Sequence, residues 1–298
     1  MTFSDAVAEA LEKAGLDPGE VSHTVATALG EDLRYGPDVT TQATVPAHAI
    51  AVGEFTPRAP GVLAGVPLVL AVLDQVIGPD YEVLAAAPDG TALTPLQPAV
   101  IVRAPVRGLL TAERTALNFV CHLSGIATAT ARWVAALAGT GAVVRDTRKT
   151  LPGLRALEKY AVRCGGGANH RMGLGDAILI KDNHIAAAGS VTVAIVAARA
   201  QAPTLHCEVE VDNLTQLAEA VRAGATEILL DNFTPAQCAE AVRLTRGAGS
   251  AAKLEASGGL TLDTARAYAE SGVDYLSAGA LTHSAPYLDL GLDLGHTV

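Results

Sequence analysis

In the second half of the chain, short apolar runs alternate with stretches whose apolar residues recur at helical spacing. The runs are AVVRDT at 142–147, AILIKD at 177–182, LHCEVEVD at 205–212, EILLD at 227–231, AKLEAS at 252–257 and VDYLSAG at 273–279. Helical spacing fills 213–223, 235–246 and 261–270. Nearly continuous apolar strands separated by amphipathic helices predict a parallel sheet covered by helices. Six strands rather than eight predict an irregular, incomplete α/β (TIM-like) barrel. No GxGxxG run follows the first strand, so a doubly wound dinucleotide fold is the weaker choice.

The first hundred residues have another rhythm. Residues 3–30 read as two helices broken at Gly15 and at Asp17-Pro18-Gly19, and the polar, turn-rich segment 31–41 reads as a loop. Short β-like runs over 49–65 and 81–107 flank a helix at 67–77, and a long helix is expected from Glu113 to Arg132. The pattern predicts an N-terminal α+β sandwich-type domain over 1–113 and a barrel domain over 114–287. The tail, about 288–298, is expected to return to the first domain.

Composition narrows the function classes. The chain has 298 residues, 21 Lys+Arg against 31 Asp+Glu, and a formal net charge of -10. An acidic surface argues against nonspecific nucleic-acid or anionic-membrane binding, and every long apolar run is broken before spanning length. Cys121, Cys164, Cys207 and Cys238 form no CxxC pair, which predicts reduced thiols in a cytoplasmic protein. Against that acidic background, Arg145, Arg148, Lys149, Arg171 and Lys181 cluster with His170, His184 and the Gly165-Gly166-Gly167 run between 145 and 184. Half-buried cations persist when something anionic pairs with them, and here a small, multiply charged substrate is the expected anion.

The candidate chemistry falls at the C-terminal ends of the strands, where barrel enzymes place their active sites. In chain order the ends carry Arg148/Lys149, Lys181, Glu208/Glu210, Asp231, Glu255/Ser257 and Ser277/Gly279. Ser257-Gly258-Gly259 and Ser277-Ala278-Gly279-Ala280 close the last two strands, where small residues let backbone N–H groups approach a phosphate; plain strand-to-helix turns are the simpler alternative. Glu210 and Asp231 suit Mg2+, directly or through water, or a developing positive charge; ion pairs with nearby cations compete with that reading. Lys181 follows an apolar strand, so it reads as an anion-binding ammonium, as an ion-pair partner of Glu208 or Glu210, or as a Schiff-base lysine of an aldolase or lyase. His170 and Arg171, delivered by the triglycine turn, are expected to meet substrate carboxylates.

These residues resemble those of the quinolinate phosphoribosyltransferase family over essentially the whole chain. The likeness is carried by ERTALN at 113–118, DTRKT at 146–150, NHR at 169–171, LIKDNH at 179–184, EVEV at 208–211, LDN at 230–232 and EASGG at 255–259. It departs at Gly36-Pro37-Asp38, where the family carries Gly directly before Asp. The resemblance implies transfer of a phosphoribosyl group from phosphoribosyl pyrophosphate to quinolinate with decarboxylation, in a homodimer whose active site is shared. Arg114 would enter the partner's site, and Arg148, His170, Arg171 and Lys181 would grip the two carboxylates of quinolinate. Lys149, Glu210 and Asp231 would lie by the ribose and pyrophosphate with Mg2+ and carry the catalysis. The backbone around Ser257, Gly258 and Gly279 would take the 5-phosphate. No organic cofactor is expected. A phosphoribosyltransferase-like protein of the molybdate-transport type remains a second alternative beside the aldolase.

Overall fold

Two aspartates set the start of the chain. In the computed structural model, which describes residues 3–295, helices α1 (Asp5–Lys13) and α2 (Pro18–Leu33) are parted at Gly15, whose φ of 71° suits glycine. Asp17 caps α2 by accepting the Glu20 N–H at 2.8 Å, and Pro18 takes a first-turn position where no N–H is needed. The loop expected over 31–41 is shorter than its composition suggests. Helix α2 runs on to Leu33, and Asp38 caps α3 (Val39–Thr44) by accepting the Thr41 N–H at 2.9 Å. Asp38 stands where the resemblance departs, and it is a helix cap rather than part of a turn.

There follow β1 (Ile50–Pro57), β2 (Gly61–Val62), α4 (Val66–Ile77), β3 (Glu82–Ala86), β4 (Ala92–Leu93), β5 (Val100–Pro105) and α5 (Val106–Ala136). The long helix starts seven residues earlier than Glu113, because Pro105 ends the strand and Val106 continues the helical apolar spacing. Next come β6 (Val143–Arg145), α6 (Arg155–Cys164), β7 (Ile178–Ile180), α7 (Asp182–Ala188), α8 (Val191–Gln201), β8 (Cys207–Val211) and α9 (Leu214–Arg222). The chain finishes with β9 (Glu227–Asp231), α10 (Pro235–Gly247), β10 (Lys253–Ser257), α11 (Leu262–Glu270), β11 (Tyr275–Ser277), α12 (Ala280–His283) and β12 (Leu290–Leu294).

The chain divides into two compact units. The first comprises the described residues up to Ala129, Leu151–Gly166 and the residues from Ala285 onward; the second comprises Thr130–Thr150 and Gly167–Ser284. A single cut at 113 therefore does not describe the chain: the first unit extends along α5 and takes in α6 and the tail. Within it, β12, β1, β5 and β3 form an antiparallel sheet, with Phe55 opposite Leu292 and Val100. Phe55, Leu68, Leu73, Val102, Leu109 and Leu123 are fully or almost fully buried. The tail lies along α5: the Leu288 N–H reaches the Cys121 carbonyl at 3.0 Å, and a Cβ at Gly125 would fall 2.2 Å from the Pro286 carbonyl oxygen. Residues 296–298 of the expected tail lie outside the described residues. Buried His122 on α5 joins Glu158 on α6 through Nε2 at 2.9 Å.

In the second unit six parallel strands lie in the order β6-β11-β10-β9-β8-β7. This is barrel order with one seam, between β6 and β7; on its β6 side Arg145 forms a parallel bridge with Ala168. Alternation sends Val209, Val211, Ile228, Leu230, Leu254, Ala256 and Leu276 to one face, where α8, α9 and α11 meet the sheet. Glu208, Glu210, Glu227, Asp231 and Glu255 share the other face, the barrel interior. The incomplete barrel expected from six runs is what forms.

The close approach at Gly125 makes a test of the tail's packing. Gly125→Ala is expected to destabilise the protein by about 1–3 kcal/mol, as overpacking does, seen as a lower urea midpoint at unchanged m-value. A variant as stable as its parent would contradict the contact with Pro286.

Candidate functional site

The C-terminal ends of the six strands surround a cavity of about 660 Å3, within the size range of small-ligand sites. Its lining comes entirely from the second unit and includes Arg148, Lys149, His170, Arg171, Lys181, Glu210, Asp231, Ser257, Gly258 and Ser277. A smaller cavity of about 220 Å3 adjoins it through Thr147, Lys149 and Ser257-Gly258-Gly259, and is closed by Ser277, Gly279, Ala280 and His283. Strand order sorts this rim into three sectors. Cations stand at the seam between β6 and β7, carboxylates at the ends of β8 and β9, and small residues at the ends of β10 and β11.

The cationic sector is built on Asp146, fully buried just after β6. Its carboxylate accepts the Asn169 side-chain amide at 2.5 Å and the His170 N–H at 2.9 Å, which pins the 168–171 segment into the seam. The Nδ1 of His170 accepts the Arg171 N–H at 2.8 Å, so the ring hydrogen sits on Nε2, which meets Glu208 at 2.8 Å. His170 thus lines the cavity with both ring nitrogens in contact with protein groups, and its Nδ1 orients the Arg171 N–H. Arg171 donates through Nη1 to the Ala177 carbonyl at 3.2 Å. Its guanidinium pKa is lowered by burial and by the neighbouring positive charge of Arg148. Neither arginine forms a salt bridge among the described residues, and the Nε of each is buried without a hydrogen-bond partner. Two guanidiniums held together without a fixed acid make a seat for an anion.

Three other members of the cluster have protein partners. Arg145 lies beneath the site: Nη1 binds Glu227 and Glu255, the latter at 2.8 Å, and Cζ stacks 3.3 Å from the centre of the Tyr275 ring. Its charge is spent inside the barrel. His184 is exposed and accepts the Lys181 N–H at 2.9 Å, which makes it a cap for α7. Lys181 reaches the cavity, but its ammonium is in an ion pair with Glu210.

Asp231 accepts the side-chain amide of Asn232 at 2.7 Å, and Asn232 holds a left-handed φ of 56°. Gly258 makes this arrangement possible: at its φ of 92°, a Cβ would lie 2.2 Å from Asn232 Oδ1. Among the described residues, the N–H groups of Gly258, Gly259 and Gly279 donate to no protein acceptor, so they remain for an anion in the smaller cavity. The Lys149 backbone is held by Thr147 Oγ1 at 3.0 Å and Thr282 Oγ1 at 2.8 Å. Its side chain passes over Gly279, where a Cβ would meet Lys149 Cδ at 3.0 Å. Asp146, Asn232 and His283 had no assigned role in the sequence reading. The contact of Asp146 with Asn169 is not local in sequence, so only the fold reveals it.

Glu208 and Glu255, 1% and 0% exposed, form the floor. Burial raises the pKa of Glu208 to about 8, reinforced by Glu227, and that of Glu255 to about 7, reinforced by Glu208. With His170 they place three potential ligand atoms within 4.8 Å of one another, but a hydrogen on Nε2 makes the histidine a donor there. Arg114 is exposed on α5 in the first unit and is not part of the cavity lining.

Comparison with known proteins gives a consistent picture. The family model for the quinolinate phosphoribosyl transferase C-terminal domain matches residues 126–293, and that for the N-terminal domain matches 38–124. The chain is 59% identical over 272 residues to a nicotinate-nucleotide pyrophosphorylase [carboxylating] of Mycobacterium leprae, covering 91% of this chain and 96% of that protein. It is 39% identical to the protein of the same name from Homo sapiens, covering 94% and 93%. The solved nicotinate-nucleotide pyrophosphorylase of Francisella tularensis superposes with a TM-score of 0.88 at 36% identity, covering 93% of this chain and 96% of that one.

The floor predicts a pH dependence. Both folded pKa values lie above the ordinary carboxyl value of 4.5, so the folded state holds protons that the unfolded chain releases. The contribution is complete below about pH 4.5 and is lost as pH rises through about 7 and 8. Unfolding free energy is expected to fall across that window, and Glu208→Gln to flatten the fall. Equal slopes for parent and variant in urea titrations would contradict the protonated floor.

Proposed function

The chain belongs to the quinolinate phosphoribosyl transferase family, and on that premise we propose how its rim divides the reaction. The activity is transfer of phosphoribosyl from phosphoribosyl pyrophosphate to the pyridine nitrogen of quinolinate with decarboxylation, giving nicotinate mononucleotide, pyrophosphate and CO2, a step of NAD biosynthesis. The observation that carries the division is the pair Arg148 and Arg171, close enough to depress the pKa of Arg171 and, among the described residues, in no salt bridge. A planar dicarboxylate matches two guanidiniums and an ammonium as one carboxylate does not.

In this reading Arg148, Arg171 and Lys181 hold the two carboxylates, with His170 setting the direction of Arg171. The free N–H groups at Gly258, Gly259 and Gly279, beside Ser257, receive the 5-phosphate, and Lys149 lies by the ribose and pyrophosphate. Glu210 and Asp231 then face the ribose, whose C1 gains cationic character as its bond to pyrophosphate breaks. Preorganised groups of this kind are worth about 3–4 kcal/mol each. The pyridine nitrogen supplies the electron pair for the new bond to C1 and becomes a pyridinium. When the adjacent carboxylate leaves as CO2, the pair left at C2 is drawn toward that positive nitrogen until a proton fills the position. The substrate makes its own electron sink, so the chemistry calls for no organic cofactor. Positioning by the rim does the remaining work.

Two carboxylates at neighbouring strand ends, facing a place for a diphosphate, suit a hard divalent cation such as Mg2+. When bound there, it would offset the diphosphate's charge. The match of Glu113-Arg114-Thr115-Ala116-Leu117-Asn118 to the family supports a homodimer in which Arg114 of the partner subunit completes the site. The four cysteines are all free thiols, which supports a reducing, cytoplasmic setting. Among the described residues no helix is long and apolar enough to cross a membrane. The aldolase alternative loses ground because imine formation needs a free amine, and the Lys181 nitrogen is engaged with a carboxylate. The relatives named above carry the name of the carboxylating enzyme, which sets aside the molybdate-transport alternative.

Two experiments test this reading. Purified protein given quinolinate, phosphoribosyl pyrophosphate and Mg2+ should yield nicotinate mononucleotide and CO2 by mass. Nicotinate, lacking one carboxylate, should be used less efficiently by about tenfold to a hundredfold, since a hydrogen bond to a charged group is worth about 1.5–3 kcal/mol; equal turnover would refute the dicarboxylate seat. Separately, mixing inactive Arg114→Ala and Lys181→Ala proteins should recover up to about a quarter of parental activity, because half the dimers are mixed and each mixed dimer has one intact site. No recovery after verified subunit exchange would count against a shared site.

A further inference from the structure

The boundary between the cationic and acidic sectors falls between β7 and β8, and there the rim makes one direct connection. The Lys181 ammonium contacts Glu210 Oε2, with side chains 43% and 10% exposed. The other groups of the two sectors are placed differently. Arg148 and Arg171 stand without an acid among the described residues, and Asp231 is held by the amide of Asn232. Lys181 is thus the dicarboxylate-binding cation whose charge is already taken, and it is taken by the carboxylate that faces the ribosyl donor. A lysine ammonium on a flexible four-carbon stem can change partners without moving the backbone. Its backbone is fixed meanwhile, since the Lys181 N–H is held by His184 and the strand pairs with β8.

We propose that the Lys181–Glu210 ion pair is an interlock that makes the two substrates bind cooperatively. This rests on the assignment of the two sectors to quinolinate and to the ribosyl donor. When quinolinate enters, its carboxylate draws Lys181 away from Glu210. The released Glu210 carboxylate then presents an uncompensated negative charge toward the donor's divalent cation and the cationic ribose carbon. When the donor enters first, its cation claims Glu210 and frees Lys181 for the dicarboxylate. Linkage makes the two effects equal in size, whichever ligand comes first. Either substrate alone must break the pair at its own expense, so the cavity is held in a weaker-binding state until both are present. No bond is made or broken in the switch, and no proton needs to move.

The test measures binding rather than turnover. Calorimetry with quinolinate alone, without Mg2+ or donor, compares the parent with Glu210→Gln and Asp231→Asn. Each variant removes one negative charge from the rim, so any general improvement in dianion binding appears in both. The interlock predicts that Glu210→Gln binds quinolinate about fivefold or more tighter than Asp231→Asn does, because it alone frees Lys181. A second arm uses Mg2+-pyrophosphate, which cannot react with quinolinate. In the parent, saturating quinolinate should tighten its binding by about fivefold or more, and Glu210→Gln should abolish that coupling. Equal quinolinate affinity in the two variants overturns the interlock, as does the absence of coupling in the parent or its persistence in Glu210→Gln. The parent arm requires no variant to fold. Formation of nicotinate mononucleotide by the parent separates failure of the interlock from failure of the underlying functional assignment.

Discussion

Charge buried under the rim sets the terms for everything above it. Glu208, Glu227 and Glu255 share the barrel interior, and water reaches none of them freely. Carboxylates in such a place must be paired or protonated. Arg145 answers for Glu227 and part of Glu255, and stacks on Tyr275 at the same time. His170 closes the rest by turning Nε2 toward Glu208. That choice fixes the ring, the ring fixes the Arg171 N–H, and the guanidinium of Arg171 comes to rest beside Arg148. The floor acids take Arg145 and the His170 ring as partners, while Arg148 and Arg171 form no salt bridge among the described residues. A different division of the same charges would give a stable barrel with no appetite for an anion.

The open seam serves the same end. In a closed barrel β6 and β7 would pair along their length, and the space between them would hold ladder hydrogen bonds. Here the connection between them leaves to contribute α6 to the first unit and returns through Ala168, Asn169 and His170. Asp146 receives the returning segment through the Asn169 side-chain amide and the His170 N–H, where a strand partner would otherwise stand. The seam therefore admits side chains from a loop to the level of strand ends. Three sources of positive charge, after β6, before β7 and after β7, meet in one place for that reason.

Much of this could be read along the chain, because strand ends in a parallel barrel are local features. Lys181, Glu210, Asp231 and Ser257 each close an apolar run, and their convergence follows once the runs are strands of one sheet. The spacing of Glu208 and Glu210 placed both on one face, as observed. What could not be read was which acid each cation would choose. Arg145 and Arg148 are three residues apart and look alike in sequence, yet one is neutralised in the interior and the other faces the cavity. Pleat alternation and the end of β6 decide this, and neither was fixed to within a residue by composition. His184, a member of the same cluster in sequence, is used by the backbone as a cap. The early part of the chain shows the converse, since the polar letters of Asp38-Val39-Thr40-Thr41 resemble a turn but serve as a cap and a helical turn.

Cyclic order around the rim also explains why the three kinds of residue are not interchangeable. A ribosyl donor with a phosphate at one end and a diphosphate at C1 must lie across several strand ends. Its acceptor must approach C1 from the side. The small-residue sector, the acidic sector and the cationic sector are consecutive from β11 to β7, and Lys149 closes the circle from the other side of the seam. On the proposed assignment, the acids lie between the phosphate seat and the dicarboxylate seat, where C1 would become positive and away from both anionic groups. Lys181 and Glu210 must then be neighbours, because they are the last cation and the first acid of adjoining sectors. On the proposed assignment, their ion pair is a consequence of ordering the rim for the reaction, and the proposed coupling rests on the same order.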